Sequence, residues 1–302
     1  MKGHTMLKQD IRKQVAETVI EAMKTSGADW NKSWGGSLPT SKATNKPYNG
    51  INHLLLSIYQ TKYNYSSHEW GTYKQWKENG GTVRKGEKGK LVVLYKTIDR
   101  KLTPEEIAAE QKGEEIFNKT IPILKHFVVF NADQVDGYVS PTIQGNKWKA
   151  DTLADKLASD VKAKVNYSHN GQCYYHPSSD TITMTDIKYF NCKESYACTL
   201  LHELTHWTKG KAQNLERDYG KSKFGNQAYA IEELVAELGA AMLAGQLGIS
   251  KTPRKDHAQY LNNWIQAIKD NNDIIFKAAA AADKASKYLL DKQAKATMKK
   301  AA

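Results

Sequence analysis

Apolar residues recur at every fourth position near the start of the chain, which predicts an amphipathic helix over residues 5–25. The apolar stripe consists of Leu7, Ile11, Val15, Val19 and Met23. A second apolar face predicts a helix over residues 51–63, with Asn49 as its N-cap. Thr72 can cap a third, short helix, which the Asn-Gly-Gly sequence at 79–81 ends. Helices are also expected at residues 151–161, 254–270 and 272–291.

Alternating apolar runs predict short strands in both halves of the chain. They lie at residues 82–83, 90–98, 121–130, 173–175 and 181–184. The first two are expected to form a hairpin around the glycine-containing turn 84–89. We therefore expect an α+β protein of two domains, with a linker near residues 138–148. Residues 1–140 would mix helices and hairpins, and residues 141–302 would be mostly helical with a small sheet.

Composition narrows the class of protein. A chain of 302 residues with 40% hydrophobic residues can bury two cores. It contains no apolar run of about 18 residues, so neither a membrane span nor a signal peptide is predicted, and the cytosol is the expected compartment. Three cysteines without a Cys-x-x-Cys pair argue against a disulfide framework. The lysine-rich end, residues 284–300, is expected to be a solvated tail or a frayed helix.

A His-Glu-x-x-His motif, formed by His202, Glu203 and His206, indicates the chemistry of the rear half. Residues four apart lie on one face of a helix, so the two imidazoles can bind one metal ion. Glu203 lies beside that face, where a carboxylate can take a proton from water at a zinc-type ion. The motif therefore predicts a metallohydrolase, most often a peptidase. The competing interpretation is a pair of core histidines hydrogen-bonded to carboxylates.

A third ligand is expected from the acidic, amphipathic helix downstream. Glu233 and Glu237 are four residues apart, so both can face the same ion. We expect Glu233 to be the ligand and Glu237 to orient a ligating histidine, and the reverse assignment stays open. Zn²⁺ is the default for two histidines and a carboxylate, and Mn²⁺ is an alternative.

Charge and aromatic residues indicate a polyanionic partner for the front half. The net charge is +12, and residues 1–98 hold 16 Lys and Arg against 7 Asp and Glu. The same residues include ten Trp and Tyr. Aromatic faces stack on unpaired bases while cations follow phosphates, so this mixture favours single-stranded DNA, with three or four aromatic contacts. The candidate contacts are Trp30, Trp34, Lys46, Tyr48, Asn52, Trp70, Tyr73, Lys74, Trp76, Arg84, Lys85 and Lys88.

Several segments, in the same order, resemble a known family. They are residues 48–52, 70–76, 83–89 and 129–134 in the front half, and 202–207 and 229–239 in the rear half. The chain resembles the ArdC-type antirestriction proteins of conjugative plasmids and related mobile elements. The resemblance implies an N-terminal single-stranded-DNA-binding domain and a C-terminal zincin-like metallopeptidase domain. It assigns no role to the acidic insertion at 99–119 or to the lysine-rich end.

Two functions follow from these observations. The first is a DNA-binding protein that attaches to single strands without sequence preference and protects incoming DNA from host restriction. The second is an active metallopeptidase that cleaves a host protein, for example one of the restriction machinery, or a protein lodged on DNA. The complete motif favours the second, because a purely structural metal site has no need of Glu203.

Overall fold

Among the residues that the structure describes, the front part of the molecule combines three principal helices with strands. The computed structural model describes residues 2–27, 38–99, 102–105, 107, 120–140, 150–168, 172–210, 213, 215, 217, 227–249 and 258–301. The three helices are α1 (Lys2–Ser26), α2 (Gly50–Lys62) and α3 (Tyr73–Glu78). The predicted cap of α3 is confirmed, since Thr72 and Gln75 exchange side-chain to backbone hydrogen bonds in a capping box.

Six strands accompany these helices. They are β1 (Thr40–Ser41), β2 (Glu69–Gly71), β3 (Thr82–Val83), β4 (Lys90–Asp99), β5 (Thr120–Asn131) and β6 (Val135–Asp136). Four of them form a sheet in the order β1-β2-β5-β4, in which β4 and β5 are a long antiparallel pair. The expected hairpin of β3 with β4 is wrong, because β3 pairs with β6. Hydrogen bonds from Gln134 to Glu87 and Lys88 hold the intervening turn against β6.

The rear part is mostly helical, as expected, and contains a small sheet. Its helices are α4 (Ala150–Asp160), α5 (Lys193–Trp207), α6 (Gln227–Leu247), α7 (Ala258–Asp270) and α8 (Asp273–Ala301). Its strands are β7 (Lys164–Ser168), β8 (Tyr174–His176) and β9 (Thr181–Thr185), in the order β7-β9-β8. The strand β7, which pairs in parallel with β9, was not predicted.

The lysine-rich end continues α8 as a regular helix, so a solvated tail is not what forms there. Asp160 of α4 holds it in place. Its side chain is buried, and Lys300 Nζ donates to it at 2.9 Å. Gln293 Nε2 approaches the same carboxylate at 3.4 Å. These contacts anchor a helix that its sequence alone would leave frayed.

The main hydrophobic core is shared by the front and rear parts. Buried side chains from both come together there: Ile11, Val15 and Val19 of α1, Leu54, Leu55 and Ile58 of α2, Leu234 and Leu238 of α6, Trp264 of α7 and Ile275 and Ala279 of α8. A second core lies between α4, α5 and the small rear sheet. The domain boundary at residue 140 stays a prediction, but residues on its two sides pack as one body. Within the described chain, no helix is both long enough and apolar enough to cross a membrane.

Candidate metal centre

Two helices carry the motif residues and approach each other closely at a glycine. Helix α5 carries His202, Glu203 and His206, and α6 carries the downstream acids. A Cβ atom on Gly239 of α6 would lie 2.5 Å from Cγ2 and 2.7 Å from Oγ1 of Thr205 on α5. The missing side chain therefore lets the helices approach, which brings the imidazoles of one within reach of the carboxylates of the other.

Three buried side chains converge between these helices. The Nε2 atoms of His202 and His206 are 3.2 Å apart. Glu233 Oε2 lies 3.3 Å from the first, and Glu233 Oε1 lies 3.4 Å from the second. Ligands placed tetrahedrally at about 2.0–2.1 Å from a zinc-type ion are about 3.3–3.4 Å apart. The spacing fits one divalent ion held by His202, His206 and Glu233.

Each imidazole turns its other nitrogen towards a carboxylate of α6. His206 Nδ1 lies 3.0 Å from Glu232 Oε1, and His202 Nδ1 lies 3.7 Å from Glu237 Oε2. A carboxylate at Nδ1 fixes the ring orientation and directs the Nε2 lone pair towards a metal. Glu232 is within hydrogen-bond distance of its histidine, whereas Glu237 lies near His202 but beyond that distance, so its orienting role stays a prediction.

Arg217 completes this outer layer. Its Nε and Nη2 donate to the two oxygens of Glu232 at 3.0 and 2.8 Å. It also donates to Thr208 Oγ1 and to the Thr205 carbonyl, at the end of α5. Burial opposes ionisation of Glu232, but hydrogen bonds from His206 and Arg217 hold the pKa of its carboxyl well below its usual range. The carboxylate is therefore buried, charged and fully paired.

Two glutamates, Glu232 and Glu233, change the pKa of His206. Burial by itself lowers the pKa of His206, but the Glu233 and Glu232 carboxylates outweigh it and raise that pKa to about 9. In the same way, burial opposes ionisation of Glu233, and His206 and His202 hold its pKa far below the usual range. The carboxylates around the two imidazoles thus favour a positive charge at this point, which suits a bound cation.

Tyr229 adds a hydrogen bond to the ligand set. It lies one helical turn before Glu233 on α6 and hydrogen-bonds its carboxylate. Burial and that carboxylate raise the pKa of the Tyr229 hydroxyl, so it remains a donor at neutral pH. Glu203, next to His202 on α5, is buried in the same region of the helix.

The sequence pattern did not indicate Glu232, Arg217 or Tyr229. Glu232 adjoins Glu233, but helical spacing pairs Glu233 with Glu237 and places Glu232 about 100° to the side. It reaches the site because His206 lies one turn further along α5 than His202. Arg217 comes from the segment between α5 and α6, where no periodicity signals a role.

Two family models match the chain. Residues 9–130 match the N-terminal domain of the anti-restriction factor ArdC. Residues 152–281 match a zincin-like metallopeptidase. The chain belongs to the ArdC family of anti-restriction factors. The resemblance seen in the sequence segments is thereby confirmed, as is the α+β fold with a zincin-like rear part.

Curated relatives of this ArdC-family chain include proteins of two organisms. The protein y4eC of Sinorhizobium fredii is 33% identical over 300 residues, which cover 95% of this chain and 94% of that protein. Two DNA primases TraC of Escherichia coli are 33% and 35% identical over 94% of this chain. This chain spans only 27% and 20% of their lengths.

Solved structures of an ArdC protein have the same fold. The metal-free crystal structure of antirestriction protein ArdC from plasmid R388 is 36% identical, with a TM-score of 0.76, and the match covers 95% of this chain and 98% of that one. The Mn(II)-bound structure of the same protein is 35% identical, with a TM-score of 0.75 and coverage of 94% and 98%. Together with the converging side chains, these matches indicate a divalent-metal site in the ArdC family chain described here.

Two expected DNA contacts of the ArdC-type front part lie in its interior, and a third is partly buried. Trp70 and Trp76 are fully buried, so neither ring offers a face to a base. Asn52 is tied to the edge of β4 by hydrogen bonds to the Val93 carbonyl at 2.6 Å and from the Val93 amide at 2.8 Å. The expectation that these two indole rings stack on DNA is therefore wrong, and the contact expected of Asn52 stays a prediction. Trp70 packs with Leu56, Val92 and Val129, and Trp76 packs with Ala132 and Val135, so the two tryptophans belong to the core.

The other candidates differ in how accessible they are. Tyr73 is 56% exposed, and Lys46, Lys74, Lys85 and Lys88 also lie on the surface. Tyr48 is half-buried against the Trp70 cluster. Arg84 is exposed but pairs with Glu87 at 2.9 Å and Asp136 at 3.4 Å. Trp30 and Trp34 lie outside the described residues.

Proposed function

We propose that this ArdC-family protein binds single-stranded DNA without sequence preference and protects incoming DNA of a mobile element from host restriction. The observation that carries the proposal is the match of residues 9–130 to the N-terminal domain of an anti-restriction factor. The excess of cations over acids in residues 1–98 supports it, because polyanion binding needs such an excess. The cytosolic location expected from the sequence stays a prediction.

The rear part would hold one divalent metal ion. His202, His206 and Glu233 would bind it, Glu232 and Glu237 would orient the two imidazoles, and Zn²⁺ or Mn²⁺ are the candidate ions. When bound, an ion of this kind polarises a carbonyl and makes water a stronger acid.

A second candidate function is proteolysis, and the presence of Glu203 beside a complete ligand set favours it. A purely structural metal site needs no such carboxylate. In a peptidase, a Glu203 carboxylate oxygen would take the proton from the water that attacks the scissile carbonyl. It would then pass that proton to the departing amide nitrogen. The substrate would be a protein of the host restriction machinery or one lodged on DNA.

One substitution separates the two functions. Glu203→Gln removes the proton acceptor while it keeps the three proposed ligands, so metal binding measured by calorimetry should persist. Binding to a fluorescent single strand, followed by anisotropy, should also persist and weaken as salt rises. Transfer of unmodified DNA into a restricting host then decides between them. Protection that survives Glu203→Gln assigns antirestriction to DNA binding, and protection that is lost assigns it to proteolysis.

The DNA-binding proposal also has its own direct test. The wild-type protein is titrated against a single strand and a duplex of the same length at several salt concentrations. We expect preference for the single strand and a negative salt slope. Equal affinity for both, or affinity that does not change with salt, would contradict it.

A further inference from the structure

A row of aromatic rings and lysines lies on the front part, next to the basic turn at residues 84–89. Tyr63, which caps the end of α2, stacks with Tyr65 at a ring-centroid distance of 5.7 Å and an interplanar angle of 22°. Tyr65 in turn meets the buried Trp70 edge-on at 5.6 Å. The outer ring of this series, Tyr63, is 47% exposed. The buried indole thus supports a tyrosine pair that reaches solvent.

Lys90 places a positive charge at this tyrosine pair. Its Nζ lies 3.4 Å from the ring centroid of Tyr63 and 5.8 Å from that of Tyr59. The residue is only 7% exposed, so the ring of Tyr63 holds the ammonium group in position. Lys90 is too buried to contact a phosphate itself. It therefore fixes the Tyr63 ring, and the exposed lysines nearby are the ones that can contact phosphates.

A second exposed ring, that of Phe127, lies on the same face of the sheet as Lys90, beyond the buried Val92 and Val129. Lys90 pairs with Val129 and Val92 pairs with Phe127 in the β4–β5 ladder, so Lys90 and Phe127 lie on the same face. Phe127 is 44% exposed. Lys125, two residues before it on the same face, is exposed as well.

The basic turn adjoins the other end of the row. Burial first, and then the Glu87 and Tyr63 side chains, raise the pKa of Tyr65 to about 12. The contacts agree: Ser66, which follows Tyr65, donates to the Asp133 carboxylate at 2.9 Å, and Arg84 of the turn donates to the Asp133 carbonyl. Glu87 is itself neutralised by Arg84 at 2.9 Å, whereas Lys85 and Lys88 are exposed. The row therefore presents lysines at both ends.

We infer that the exposed rings of Tyr63 and Phe127, with the exposed lysines Lys85, Lys88 and Lys125 around them, form the surface on which single-stranded DNA stacks. The inference rests on the proposed DNA-binding function and deepens it by naming the contact site. Exposed rings on a sheet need unpaired bases, and the lysines supply the charge complementary to phosphates. In a duplex the bases are already stacked on each other, so these rings would have no partner.

Affinity measurements on full-length variants test this surface. Tyr63→Ala and Phe127→Ala should each weaken binding to a fluorescent oligothymidine by roughly 5- to 150-fold, the range for one base stacked on an aromatic side chain. Tyr63→Phe keeps the ring and should keep the wild-type affinity. Tyr189→Ala is the matched control, since Tyr189 is 56% exposed in the rear part and carries Lys188 Nζ 5.2 Å from its ring centroid.

Photocrosslinking gives a second readout that does not depend on the folding of a variant. Single strands with 5-iododeoxyuridine should crosslink the wild-type protein in the peptides that contain Tyr63 and Phe127. Unchanged affinity in both alanine variants, or crosslinks only elsewhere, would overturn the proposed surface while leaving DNA binding intact. A wild-type protein that binds no single strand would remove the DNA-binding function and this surface with it.

Discussion

The metal centre and the proposed DNA surface show two different relations between charge and burial. At the metal centre the charged side chains are buried and paired, as Glu232 is with His206 and Arg217. On the front part the lysines are exposed, and tryptophans chemically suited to DNA are buried. A buried site depends on which side chains come together in the interior. A surface site depends on which of many chemically similar side chains stay exposed to solvent.

The largest effect should come from breaking the ligand set. Glu233→Gln replaces a charged oxygen ligand by an amide, and we expect the affinity for Mn²⁺ or Zn²⁺ to fall by more than about 100-fold. Loss of an outer-layer partner typically costs about 10- to 100-fold, and loss of a ligand should exceed it. Calorimetry measures this change. Affinity for single-stranded DNA should stay within about twofold, because no described contact joins Glu233 to the lysine surface.

Glu237→Gln is the matched comparison, since it changes the neighbouring carboxylate on the same helix. It should reduce metal affinity by about 10- to 100-fold, less than Glu233→Gln does. If Glu237→Gln were the more damaging substitution, the two glutamates would have the opposite roles.

The contact between the front part and the rear part, where α2 packs against α8, can be tested by changing the pH. His53 of α2 is buried, and burial lowers its pKa to about 4, although Asp283 of α8 partly opposes this. Between pH 6.5 and 4, His53 is protonated in the unfolded chain but neutral in the folded chain. The free energy of unfolding should therefore fall as the pH falls from 6.5 to 4. The loss should reach roughly 3 kcal/mol.

Urea unfolding at several pH values measures this dependence. His53→Leu should flatten it, because the variant has no group to protonate. His126→Gln, a change at an exposed histidine of β5, should leave it as in the wild type. A pH dependence that is the same in His53→Leu and the wild type would show that other groups cause it.

A smaller effect is expected from separating the two metal-site helices. Gly239→Ala would place a methyl group 2.5 Å from Thr205 Cγ2. Overpacking of this kind typically costs about 1–3 kcal/mol, and it should weaken metal binding as α5 and α6 move apart. Thermal unfolding and metal titration measure both. The double variant with Thr205→Ala should recover most of the loss, whereas simple additivity of the two changes would contradict a direct clash.

The smallest effects should appear on the DNA surface. Lys85→Ala and Lys88→Ala should each reduce the slope of log affinity against log salt by about 0.7, the value for one phosphate contact with a single strand. Lys164→Ala, an exposed lysine of the rear sheet, should not change the slope. An equal change from all three variants would indicate that only net charge matters.

Local patterns predicted the elements well where the sequence carries its own signal. The stripe of α1, the cap of α3 at Thr72 and the alternation of β9 all depend on neighbours in the chain. The failures concern pairing over longer distances. The pairing of β3 with β6 is decided by Gln134, which binds the turn before β4 from about 47 residues away.

The sequence by itself determined the His-Glu-x-x-His face of α5, because helical spacing depends only on residues that are close in the chain. It also determined the family of the chain, because the matching segments can be recognised in their order along the sequence. Only the tertiary structure decided that Glu232 and Arg217 join the metal centre, and that Trp70 is buried beneath Tyr65 while Tyr63 reaches solvent. The physical reason is that burial depends on the packing of distant segments. Chemically similar side chains acquire different roles according to which of them the shared core encloses.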